Sequence, residues 1–159
     1  MAKNLDNDGL RSIINDYDIL YIDLWGVVHN GINLHKNAID ALEEIEKAKK
    51  KYALLTNAPR PSKTVKLFLE KMGMVKKIRE KVYSSGEAAI SYLKKNYYDK
   101  KFYHIGPRRD FDLFLDFKKN NIKDINESSY LLCTGLFQKQ EDDLIYYKEL
   151  FKNQINKKM

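Results

Sequence analysis

The 159-residue chain has a single cysteine, a single tryptophan, three prolines and seven glycines. A lone thiol, Cys133, can form no internal disulfide and fits a reducing compartment. So few glycines and prolines exclude collagen-like or linker-dominated architectures. No stretch approaches the roughly 18 apolar residues that cross a bilayer, and the amino-terminal Met-Ala-Lys-Asn-Leu-Asp lacks the apolar core of an export signal. A cytoplasmic location with no membrane partner is therefore expected. What the chain does have is an excess of cations, 29 Lys and Arg against 22 Asp and Glu, a net charge of +7. With 43% hydrophobic and 12% aromatic residues it is far too apolar for a disordered polycation. The lysines gather at 47, 49–51, 76–77, 94–95, 100–101, 118–119 and 157–158, mostly where helical patterns close and cations favour the negative end of the helix dipole. No nucleic-acid motif accompanies them, so no nucleic-acid partner is expected.

Short apolar runs alternate with helical periods five times, the pattern of βα units on a mostly parallel sheet. The first run, Ile19 to Leu24, is continuously apolar up to Asp23, as a strand covered on both faces would be. Ile39, Leu42 and Ile45 follow on one helical stripe. Tyr52 to Thr56 is the second strand, and Val65, Phe68, Leu69 and Met72 mark a second helix that Gly73 stops. The third unit runs from Val82-Tyr83-Ser84-Ser85 into a helix with Ala89, Ile90 and Leu93. The fourth joins Phe102 to Ile105 with a helix bearing Phe111, Phe114 and Leu115. The fifth joins Tyr130 to Thr134 with a helix from Glu141 through Leu144, Tyr147 and Phe151. Cys133, in the apolar run Tyr130-Leu131-Leu132-Cys133, reads as a small buried hydrophobe rather than a nucleophile.

In open α/β sheets, sites form outside the carboxyl ends of the strands. Asp23 and Thr56-Asn57 meet that condition together. A carboxylate at the end of an apolar strand is poorly placed for stability, because it must be paired or kept wet. Taken alone, Asp23 reads as a cap for the following turn.

Together these residues resemble the motifs of the haloacid dehalogenase-like (HAD) hydrolases, a superfamily rich in phosphatases. Asp23-Leu24-Trp25-Gly26-Val27-Val28-His29-Asn30-Gly31 is similar to the first motif, and Leu55-Thr56-Asn57-Ala58-Pro59-Arg60-Pro61 to the second. With Ser84-Ser85-Gly86-Glu87 and Tyr103-His104-Ile105-Gly106-Pro107 the likeness narrows to class IIA, in a subgroup marked by Asp-x-Trp-Gly-Val. The resemblance implies an α/β fold: the N-terminal half of a Rossmann-like core over residues 1–80, and an inserted α/β C2-type cap over 81–159 that is incomplete at its carboxyl end.

It also implies phosphatase-type chemistry on a small phosphorylated metabolite. Asp23 would be the nucleophile, forming an aspartyl-phosphate, while Thr56 and the Asn57 amide would bind phosphate. Mg²⁺ would be held by the Asp23 carboxylate and the Trp25 backbone carbonyl, and Arg60 would be a candidate substrate contact, although a loop arginine ordinarily just faces solvent. Two departures from the family pattern stand out. Trp25 occupies the place where most phosphatases of the superfamily carry a second Asp as general acid, and His29 is the candidate stand-in, its ordinary reading being a loop histidine. The later motifs, a lysine and Gly-Asp-x-x-x-Thr-Asp, have no counterpart: none of the seven glycines precedes an aspartate, and none follows Gly135. The alternative expectation is a non-catalytic phospholigand-binding or regulatory module, or an inactive gene fragment. An oligomer is compatible with either.

Overall fold

A computed structural model describes Leu5 and residues 8–137, 144–152 and 154. These form two compact units. The first comprises residues up to Ala58 and Ser62–Ser85; the second comprises Pro59–Pro61 and the chain from Gly86 onward.

In the first unit, β1 (Ile19–Asp23), β2 (Lys51–Thr56) and β3 (Val82–Ser84) pair in parallel in the order β1-β2-β3. Connecting them are α1 (Lys36–Lys47), α2 (Ser62–Lys71) and the single turn α3 (Lys76–Arg79). The apolar stripes read from sequence are the ones that pack: Leu42 and Ile45 from α1 and Val65 and Leu69 from α2 are buried with Tyr52 and Leu54 of β2 and Val82 of β3. Ile78 of α3, inside a basic run that gives no helical stripe, is buried with them. β3 is hydrogen-bonded to β2, and this unit includes the chain up to Ser85.

Burial alternates along the strands, which corrects the expectation that β1 is covered on both faces. Ile19 is 43% exposed and Tyr21 68%, while Leu20 and Ile22 pack against the core. The helices of this unit bury only one face, so an unbroken apolar run does not require burial on both sides.

The second unit holds the parallel pair β4 (Phe102–Ile105) and β5 (Tyr130–Cys133) with α4 (Ser85–Asn96) and α5 (Leu144–Phe151). Its core is aromatic. Phe102 meets Phe114 at 5.1 Å and Phe117 at 5.8 Å, both edge to face, and stacks on Tyr130 at 5.5 Å, arrangements favoured by the ring quadrupole. The residues expected to form an α-helix here instead form a run of 3₁₀ turns over Arg108–Asn120, interrupted by non-helical backbone at Phe114 and Phe117. Phenylalanine at every third position, 111, 114 and 117, matches the three-residue period of a 3₁₀ turn. Leu115, expected on the apolar stripe, is 50% exposed. Cys133 ends β5 as an exposed thiol, not a buried one, because the last residue of the strand points outward beyond the buried run Tyr130–Leu132. Glu141, the expected start of the last helix, lies outside the described residues; the described helix begins at Leu144.

The loop at Pro59–Pro61 belongs to the second unit because it presses on the start of α4. A Cβ at Gly86 would lie 2.4 Å from both the backbone N and O of Arg60. Gly86→Ala is therefore expected to destabilise this unit by at least about 3 kcal/mol, the upper part of the overpacking range, read as a fall in the urea midpoint.

His104 of β4 shares a 2.9 Å hydrogen bond with the Thr134 hydroxyl and packs on Phe114 at 4.7 Å. Burial lowers its pKa from 6.5, opposed by the charge of Asp110. The fold thus favours neutral imidazole, and below about pH 6.5 the unfolded chain binds more protons than the folded one. Stability contributed by this group is complete above about pH 6.5 and is lost as pH falls through the folded-state pKa. His104→Gln should flatten that part of the curve of urea midpoint against pH.

Candidate active site

The carboxyl ends of β1 and β2 carry the residues of interest. Register sets Asp23 opposite Leu55, so Thr56 stands one step further along the neighbouring strand, with strands about 4.8 Å apart. Asp23 and Asn57 are exposed and Thr56 is half-buried. The Thr56 hydroxyl oxygen accepts a hydrogen bond from the Ala58 amide at 3.2 Å, an arrangement that leaves its O–H free to donate. Behind Thr56, the buried Ser84 at the end of β3 donates its amide to the Ser62 hydroxyl at 3.1 Å, and the two hydroxyls meet at 3.2 Å. These serines tie the third strand end to the start of α2; the sequence pattern does not mark Ser62 as part of such a pair.

After Asp23 the chain makes a tight loop anchored by Leu24 and Val28, which are 1% and 0% exposed. The Val28 and His29 amides both donate to the Leu24 carbonyl, at 2.9 and 3.2 Å, and the Gly26 amide donates to that of His29 at 2.8 Å. Asn30 closes the outer turn, its Oδ1 accepting from the Ile32 and Asn33 amides at 3.0 and 2.9 Å, the usual way an asparagine mimics a backbone turn. Gly31, at φ 90°, lies against the edge of the Trp25 ring; a Cβ there would be 2.6 Å from Trp25 Cη2. The turn pair Asn30-Gly31 is legible in sequence, but its contact with Trp25 is not.

His29 is buried at 5% exposure. Its Nδ1 accepts the Gly31 amide at 3.0 Å, and its ring meets Trp25 edge to face at 5.5 Å and Phe68 at 5.8 Å. Burial, then the charge of His35, lowers its pKa from 6.5, with Asp23 acting in the opposite direction. These contacts describe a loop anchor in its neutral form. Phe68, read from sequence as part of a core stripe, instead closes this aromatic cluster.

Arg60 lies in the second unit. Its guanidinium grips Asp112 through two bonds, Nε to Oδ1 at 3.3 Å and Nη2 to Oδ2 at 3.0 Å, so a specific partner takes the place of the open solvent usual for a loop arginine.

Among the described residues, no group of three His, Cys, Asp or Glu side chains could together hold a metal ion. The donors two residues apart in the chain are the Asp23 carboxylate and the Trp25 carbonyl. That set suits Mg²⁺, which commonly takes one or two carboxylates and completes its shell with water and substrate phosphate, though with a single carboxylate to offset the charge. No helix among the described residues is long and apolar enough to cross a membrane.

The sequence model of the haloacid dehalogenase-like hydrolases matches residues 20–118, a span containing Asp23, Thr56 and the strand register between them. The fold is similar to that of a haloacid dehalogenase-like hydrolase from Brucella suis 1330, with a TM-score of 0.74 and 26% identity over 90% of this chain and 52% of that one. It is also similar to a glycerol phosphate phosphatase from Mycobacterium tuberculosis solved in complex with magnesium, with a TM-score of 0.61 and 18% identity over 88% of this chain and 43% of that one. A third likeness is to a 4-nitrophenylphosphatase from Thermotoga maritima, with a TM-score of 0.59 and 16% identity over 76% of this chain and 46% of that one. This chain thus spans about half the length of the solved structures it matches. None of the curated proteins matches it. The motif-bearing strand ends, the α/β fold and the family match over residues 20–118 make this chain a member of the haloacid dehalogenase-like hydrolases.

Proposed function

We propose that this chain carries the nucleophile and phosphate-binding strands of a phosphate monoester hydrolase acting on a small phosphorylated metabolite. The supporting observation is the register of β1 and β2, which sets Asp23 and the Thr56 hydroxyl at adjacent strand ends. An Asp23 carboxylate oxygen attacks phosphorus, the ester oxygen leaves with its bonding electrons, and an aspartyl-phosphate forms; water then attacks phosphorus and releases inorganic phosphate and the free carboxylate. Thr56 donates its hydroxyl hydrogen to a phosphoryl oxygen, and the Asn57 amide lies next to it, both stabilising charge as it develops. Mg²⁺, held by the Asp23 carboxylate and the Trp25 carbonyl, would offset the negative charge of nucleophile and phosphate. In this reading the first unit is half of a catalytic core and the second is part of a cap, and the lone cysteine favours the cytoplasm.

A non-catalytic phospholigand module is the second reading. It is favoured by Trp25, since an indole beside the nucleophile can neither give nor take a proton at neutral pH.

The assay is Mg²⁺-dependent release of phosphate from an aryl phosphate. Asp23→Asn is expected to abolish it, and Thr56→Ala to lower kcat by about 10²–10³, as loss of one donor to a developing oxyanion does. Turnover that survives Asp23→Asn would sink the hydrolase reading. Phosphate-ester binding without turnover would establish the module instead.

A further inference from the structure

Trp25 is the chain's one tryptophan, two residues along from Asp23, so their Cα atoms are at most about 7 Å apart. At 62% exposure its indole is open to solvent, yet it is not loose. Gly31, at φ 90°, lies against the Cη2–Cζ3 edge of the six-membered ring, and His29 meets the indole edge to face. His29 is in turn pinned by the Gly31 amide and Phe68. A large flat apolar surface thus stands beside the nucleophile with Gly31 and His29 at its edges, although burying it would be worth more to the fold than leaving it in water.

Neither Trp25 nor the histidine it touches serves here as an acid. His29 Nδ1 accepts a hydrogen bond and so carries no proton. A leaving group that draws on Trp25 and His29 alone departs unprotonated. For an aliphatic ester that means an alkoxide, whose conjugate acid is as weak as water and far weaker than a phenol. For an aryl ester it means a phenolate, with a conjugate acid near about 10, as in tyrosine.

We propose that the Trp25 indole is a stacking platform that makes this site select aromatic phosphate monoesters, whose ring lies on the indole and leaves as a phenolate. The proposal rests on the hydrolase reading above and adds its substrate class. As the bond from Asp23 oxygen to phosphorus forms, the bond from phosphorus to the ring oxygen breaks with its electron pair on the phenolate, which solvent later protonates. Water then attacks phosphorus; the Asp23 oxygen keeps the bonding pair, and the proton lost by the water passes to solvent or phosphate.

Two measurements test it. First, kcat/KM for phenyl phosphate should exceed that for glycerol 3-phosphate by about 10²–10⁴, the span a missing general acid accounts for. Trp25→Asp should narrow that gap by restoring an acid. Trp25→Ala should raise KM for phenyl phosphate roughly two- to twelvefold, the worth of one ring pair, with the loss falling on KM more than on kcat, and Trp25→Phe should recover most of it. Equal rates on the two esters, or an unmoved KM in Trp25→Ala, would overturn the proposal.

Second, with a single tryptophan the chain's indole fluorescence reports on Trp25 alone, and needs no turnover. In Asp23→Asn, phenyl phosphate should quench that emission at concentrations where glycerol 3-phosphate and inorganic phosphate do not; equal quenching by all three would refute the platform. Hydrolysis that does not depend on Asp23 would count against the hydrolase reading, and the fluorescence titration would still decide the platform.

Discussion

The parallel register of β1 against β2 is the constraint on which the candidate site depends. Pairing Asp23 with Leu55 brings the two motif-bearing strands to an end within one residue of each other. A slip of one residue would turn the apolar set of β1 away from the helices, so the burial of Leu20 and Ile22 on one side and Tyr52 and Leu54 on the other holds the strand ends in step. The core that stabilises the first unit thereby also sets the spacing of its chemistry. Asp23 stays exposed because the strand delivers it past the edge of that core, where a carboxylate keeps its water.

Beyond the strand ends, a second set of constraints is local. Leu24 and Val28 bury the base of the loop, backbone bonds to Leu24 and His29 tighten it, and Gly31 lets the Trp25 ring settle against the backbone. His29 sits at the centre of this arrangement. Its one accepting nitrogen, its burial and its two aromatic neighbours make it part of the loop's framework, and that leaves Trp25 as the large exposed group beside the nucleophile.

Most of the architecture was legible from apolar periodicity. The five described strands begin and end within a residue of the runs that signalled them, and the α1 and α2 stripes pack against the core apart from Phe68, which turns to the aromatic cluster of the β1 loop. Three features escaped for physical reasons. An unbroken apolar run cannot say how many faces of a strand are covered, which is why β1 proved half-exposed. Phenylalanines at 111 and 114 fit an α-helical stripe as well as a 3₁₀ repeat until packing on Phe102 decides between them. An apolar neighbourhood in sequence did not bury Cys133, because exposure at a strand's last residue depends on what lies beyond it.

Sequence alone determined the residue types of the candidate site, their order and the class of fold, because strand ends and motif residues are local properties of the chain. Tertiary structure decided which side chains act in company: that Arg60 pairs with Asp112, that His29 is buried as an acceptor, and that Trp25 touches Gly31 and His29 while most of its surface stays in solvent. These are contacts between residues brought together by packing, and whether a side chain is buried, paired or exposed depends on neighbours that a linear pattern does not contain.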